Sequence, residues 1–173
     1  MGQTLIRACY PGTFNPPTVA HLAIAEAARI QLGCDLVEFV LSTVTLGKDD
    51  RSLPPVGNRA EALRTLCSAR SGLAVTLREG SLLADLADGY DWVILGADKW
   101  HQIQDVRWYE SISHRDRCLA ALPPIAVAPR PPDLLPDHLT VLQVPAELQQ
   151  VSSTAVRAGR QEWIARDDDA QMG

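Results

Sequence analysis

Short apolar runs recur along the chain, and most are followed by a segment with helical periodicity. Leu5 to Tyr10, Leu36 to Leu41, Leu73 to Leu77, Asp91 to Leu95, Ile125 to Ala128 and Thr140 to Val144 read as strands. Val19 to Leu32, Arg59 to Ala69 and Ser81 to Leu86 read as helices, Lys99 to Ser113 as mixed helix and loop, and Ser152-Ser153-Thr154 as the opening of a terminal helix. The Leu-Val-Glu-Phe-Val-Leu run at 36–41 is almost wholly apolar, as a strand covered on both faces requires. Such alternation predicts an α/β, Rossmann-like single domain: a parallel sheet of five to six strands, joined by right-handed crossovers and flanked by helices. In the first helix Val19, Ala23, Ala27 and Ile30 share one face, and in the second Ala62, Leu63 and Leu66 form the buried side. With 173 residues the chain suits one domain, 1–166, followed by an acidic tail, 167–173, expected to be disordered.

Ligands of open parallel sheets bind beyond the carboxyl ends of the strands. The loops with chemistry in them follow strands: Gly12 to His21 after the first, Lys48 after the second, Gly96-Ala97-Asp98 after the fourth, and Ser152-Ser153-Thr154 after the last. They are expected to meet in one cleft. Tyr10-Pro11-Gly12-Thr13-Phe14-Asn15-Pro16-Pro17-Thr18-Val19-Ala20-His21 reads as strand, tight turn and helix start. Thr18 is the expected cap, with Asn15 as competitor. A helix N-terminus presents free N–H groups and the positive end of its dipole, which suits phosphate, and His21 adds a donor in the same turn. The spacing matches neither G-x-G-x-x-G nor G-x-x-x-x-G-K-[ST].

A net charge of -5 argues against broad nucleic-acid binding, which needs a basic footprint. It leaves room for one small anion held by a few focused cations. Cys9, Cys34, Cys67 and Cys118, like His21, His101, His114 and His138, lack zinc spacing and read as thiols and imidazoles of a reducing, cytoplasmic setting. No apolar run approaches a membrane span.

Two separated motifs carry a resemblance. Gly12-Thr13-Phe14-Asn15-Pro16-x-Thr18-x-x-His21 resembles the G-x-F-x-P-x-H-x-G-H signature of the nucleotidylyltransferase superfamily, and Val151-Ser152-Ser153-Thr154-Ala155-Val156-Arg157 resembles its I-S-S-T-x-I-R motif. Leu95-Gly96-Ala97-Asp98, followed by Arg107-Trp108-Tyr109-Glu110, is similar to the G-A-D…W-Y region of nicotinate or nicotinamide mononucleotide adenylyltransferases. Phosphopantetheine adenylyltransferases share the first and last motifs but not this tryptophan segment.

The resemblance implies transfer of AMP from ATP to a pyridine mononucleotide, with pyrophosphate released, in NAD biosynthesis. It implies ATP contacts at Gly12, Thr13, Phe14, His21, Gly96, Asp98, Ser152, Ser153, Thr154 and Arg157. His21, Thr18 and Arg157 would be the catalytic groups, and Lys48, Arg59 and Trp108, with Trp100 as rival, would bind the acceptor. Mg²⁺ would ride on the nucleotide, without metal ligands from protein side chains. The implied partners are ATP and the mononucleotide, with neither nucleic acid nor membrane, and a homo-oligomer stays open because monomers, dimers and hexamers occur on this fold. One departure matters: the motif's first histidine is Thr18 here, and its glycine is Ala20. A hydroxyl is a shorter-reaching donor without charge, and losing one preorganised donor to a developing oxyanion costs on the order of 10²–10³ in rate. An ATP-binding paralogue with altered acceptor or little transferase activity is therefore the alternative.

Overall fold

A computed structural model describes residues 4–44 and 53–171. Lys48 and Arg51, the two cations that could compensate for Thr18, lie outside the described residues. Six strands, β1 (Arg7–Pro11), β2 (Leu36–Ser42), β3 (Leu73–Arg78), β4 (Trp92–Gly96), β5 (Ile125–Ala128) and β6 (Thr140–Val141), form one sheet in the order β3-β2-β1-β4-β5-β6. All neighbours pair parallel. The order reverses between β1 and β4, which opens a crevice at their carboxyl ends.

Successive residues of a strand face opposite sides of the sheet. Ala8, Tyr10, Val37, Phe39 and Leu41 belong to one core, while Cys9, Val40, Val93 and Leu95 belong to the other. The first is covered by helices α1 (Val19–Gln31) and α2 (Val56–Ser68), through Leu22, Ala25, Ala28, Leu63 and Leu66. The second is covered by α3 (Leu83–Ala87), α4 (Ala97–Gln104) and α5 (Ile112–Ala120), through Leu86, Ile103 and Leu119. Glu38, the charged residue of β2, is buried yet satisfied: it accepts from Arg7 Nε at 3.0 Å and from Thr76 Oγ1 at 2.5 Å. A buried carboxylate is tolerated when it is paired in this way.

Several expectations need correction. The buried side of α1 is Ala20, Leu22, Ala25 and Ala28, and Ile30 is 70% exposed. Alanine's one methyl lets several faces of this helix look equally apolar, so periodicity misjudged its phase. In α2 the buried residues are Arg59, Ala60, Leu63, Leu66 and Cys67, and Ala62 is exposed. α3 is capped at Leu82 rather than Ser81: the Leu82 N–H donates to the Asp85 carboxylate at 3.2 Å. β6 stops at Val141, short of Val144. Asp167–Gln171, within the acidic run, is a 3-10 turn, which does not bear on the expected disorder of the tail.

Candidate active site

The loop after β1 is shaped by one aromatic residue. Phe14 sits at φ 49° and is buried between Tyr10 and Phe39, with ring centroids 5.5 and 5.2 Å away. Its ring lies so close over Gly12 that a Cβ there would come within 2.8 Å of it. Gly12 is thus required by a close approach, and Phe14 is a plug in the core rather than a contact surface for nucleotide. Gly12 and Thr13 remain exposed.

Arg59, at 9% exposure, reaches under this loop. It donates from Nη1 to the Thr13 carbonyl at 2.7 Å and from Nε to Pro54 O at 3.0 Å. Its guanidinium therefore buttresses the loop, whatever its remaining N–H groups meet.

Thr18 caps α1 and is completely buried. Its backbone N–H donates to His21 Nδ1 at 2.9 Å, its hydroxyl lies 3.1 Å from the same nitrogen, and the His21 N–H donates to that hydroxyl at 3.4 Å. The cap expected at Thr18 is therefore present, but the hydroxyl is turned onto His21 and not into the cleft. The Thr18 backbone also bridges Ile164, and Ala165 N–H donates to Pro17 O at 3.1 Å, so the chain's last segment seals this residue in. Burial, reinforced by the Arg130 charge, lowers the His21 pKa to about 4.

The final motif is strapped to the first. Ser153 Oγ donates to Pro16 O at 2.7 Å, and Arg157 Nη1 donates to Asn15 O. Ser152 Oγ caps helix α6 (Ser153–Arg157) by accepting from Ala155 N–H at 3.1 Å. Both serine hydroxyls are consequently engaged within the protein. Thr154 and Arg157 are exposed, with Arg157 Nη2 donating to Thr154 Oγ1 at 3.2 Å.

At the end of β4, Gly96 begins the turn into α4, and Asp98 lies exposed in that helix's first turn. A Cβ at Gly96 would meet Asp98 Oδ1 at 2.8 Å. Arg130, two residues beyond β5, approaches Asp98 Oδ1 to 4.0 Å and donates to Val151 O at 3.4 Å. Sequence reasoning missed Arg130, although the rule that sites lie past strand carboxyl ends applied to it equally. The two tryptophans separate. Trp100 packs partly buried on the second core. Trp108, 46% exposed, lines a cavity of about 320 Å³ with Ser81, Leu82, Arg107, Tyr109 and His114. Ser81 and Leu82 were also missed, because they read only as a helix start.

The arrangement gathers donors and a guanidinium at a switch point, with a separate aromatic-walled recess. That suits alignment of two anionic substrates rather than attack by a protein nucleophile. The cytidylyltransferase-like family profile matches residues 9–159. The chain is 31% identical over 172 residues to a probable nicotinate-nucleotide adenylyltransferase of Salinibacter ruber, covering 87% of this chain and 83% of that one. A protein of the same description from Listeria innocua is 26% identical over 55% of this chain and 61% of its own length. Among solved structures, Plasmodium falciparum nicotinic acid mononucleotide adenylyltransferase complexed with NaAD superimposes with a TM-score of 0.68 at 16% identity, covering 90% of this chain and 83% of that one. At that identity the likeness speaks for the fold.

Proposed function

The chain belongs to the cytidylyltransferase-like family of nucleotidyltransferases and is an adenylyltransferase; on that premise we propose that it transfers AMP from ATP to a pyridine mononucleotide, nicotinate mononucleotide above all, in NAD biosynthesis. The observation that supports this reading is the strap between the first and last motifs, Ser153 to Pro16 and Arg157 to Asn15, which ties the loop after β1 to the start of α6. The names of the relatives favour the acid over the amide.

In the proposed reaction an acceptor phosphate oxygen attacks the α-phosphorus of ATP. The bond from that phosphorus to the bridging oxygen breaks, and pyrophosphate leaves with the electron pair. The His21 Nε2–H and the exposed Thr13 backbone N–H donate to ATP phosphates, and Arg157 grips them with its planar fork. Arg130 adds positive potential, and Asp98 accepts from ribose hydroxyls. Trp108 offers its face to the pyridine ring. Lys48 fits the acceptor phosphate by its place in the sequence. Among the described residues no group of three or more His, Cys, Asp or Glu gathers as a metal cage. Mg²⁺ would ride on the nucleotide, held by phosphates and water rather than by protein side chains. Such an ion supplies neutralisation of the pyrophosphate charge.

The test is incubation with ATP, Mg²⁺ and either nicotinate or nicotinamide mononucleotide, followed for pyrophosphate and dinucleotide. The reading expects both products, faster with the acid. ATP binding without turnover on any pyridine mononucleotide would replace it with the paralogue reading.

A further inference from the structure

The backbone and the hydroxyl of Thr18 both end on one ring nitrogen of His21. A backbone N–H can only donate, so the 2.9 Å contact from Thr18 N requires that Nδ1 keep its lone pair. The Thr18 hydroxyl, 3.1 Å from an unprotonated Nδ1, must then face it as a donor as well. The same oxygen keeps lone pairs to accept from the His21 N–H at 3.4 Å. Among the described residues Nε2 makes no hydrogen bond.

We infer that Thr18 is a positioning residue that fixes His21 as the neutral Nε2–H tautomer, so that the ring keeps one standing donor at Nε2. The anion that receives this donor rests on the adenylyl-transfer reading; the tautomer does not. An imidazolium carries protons on both nitrogens, and protonation would set Nδ1–H against two donors. The groups around the ring leave that proton nothing to gain. Tyr10 of β1 and Phe14 pack against it with centroids at 6.2 and 5.0 Å, and Arg130 beyond β5 adds a like charge. The threonine that replaces a motif histidine therefore does not duplicate its donor. It conditions the donor that remains, and complete burial keeps it from any other partner.

The measurement is long-range ¹H–¹⁵N correlation of the imidazoles in the full chain between pH 4.5 and 8, with His21 identified by its loss in His21→Gln. The wild type is expected to show a protonated Nε2 and a pyridine-like Nδ1 down to about pH 5. Thr18→Val keeps the backbone donor and loses the hydroxyl, so the ring should titrate at higher pH with the Nε2–H tautomer less dominant, and Thr18→Ser should restore the wild-type pattern. Adenylyl transfer in Thr18→Val should lose roughly tenfold to a hundredfold in kcat, with KM for the acceptor mononucleotide nearly constant. A wild-type Nδ1–H tautomer, or a Thr18→Val spectrum identical to wild type, overturns the inference. If the valine variant does not fold, the wild-type and serine spectra still decide. The expected spectra in a protein that makes no dinucleotide would support the tautomer and overturn the transfer reading.

Discussion

At Gly12, His21 and Trp108 the chemistry of the site reduces to single side chains. Alanine at Gly12 would drive its Cβ to 2.8 Å from a Phe14 ring already locked in the core at positive φ. Overpacking of that kind costs about 1–3 kcal/mol, so Gly12→Ala should lower the melting temperature by several degrees and weaken ATP binding through the displaced loop. For His21 the sign of the pH effect follows from its depressed pKa. Its folded value of about 4, set first by burial and then by Arg130, lies below the value near 6.5 of an unfolded histidine. Between those values the unfolded chain binds the extra proton, so stability is complete above about pH 6.5 and declines as pH falls toward 4. At the lower limit the loss is on the order of 3 kcal/mol. Denaturant titrations at pH 7 and 4.5 should show a smaller difference for His21→Gln than for wild type. In Trp108→Ala the expected loss of ring stacking is about 1–3 kcal/mol, seen as a KM for the mononucleotide raised roughly tenfold or more while KM for ATP changes little.

Elements show what the chain's pattern can and cannot disclose. β5 matches its apolar run residue for residue, because proline pairs bracket it. The N-cap of α1 was readable because a buried helix start needs a side-chain acceptor and Thr18 is the residue that supplies one. The phase of α1 was not, since its alanines look alike on every face. The cap at Ser152 was readable as well, but sequence alone could not reveal that Ser153 spends its hydroxyl on Pro16 O, or that Arg59 supports the Thr13 carbonyl. Hydrogen-bond partners so far apart along the chain are set by the fold, not by local pattern. Arg130 and the Ser81–Leu82 wall of the Trp108 cavity belong to the same class. The strap between the loop and α6 yields its own prediction. Arg157→Ala removes the Asn15 contact and, on the proposed function, the phosphate fork, and should cost roughly 10²–10³ in kcat/KM. Arg157→Lys should recover only part, because a point charge cannot replace a planar fork. Steady-state kinetics with ATP varied checks both.

For the molecule as a whole, the parallel β3-β2-β1-β4-β5-β6 sheet puts the described loops that follow β1, β4 and β5 at its carboxyl end. No helix among the described residues is long and apolar enough to cross a membrane. A ligand that binds the folded crevice stabilises it by mass action, about 2.7 kcal/mol at a hundredfold excess over Kd. ATP with Mg²⁺ should therefore raise the melting temperature, and the Arg157→Ala variant should respond less. The central claim, that the two strapped motifs hold ATP for attack at its α-phosphorus, has a direct test in label tracing. With nicotinate mononucleotide as acceptor, label from [α-³²P]ATP should appear in the dinucleotide, and label from [γ-³²P]ATP should appear in pyrophosphate. Label from the γ-position entering the acceptor, or no acceptor-dependent transfer of the α-label, would contradict it.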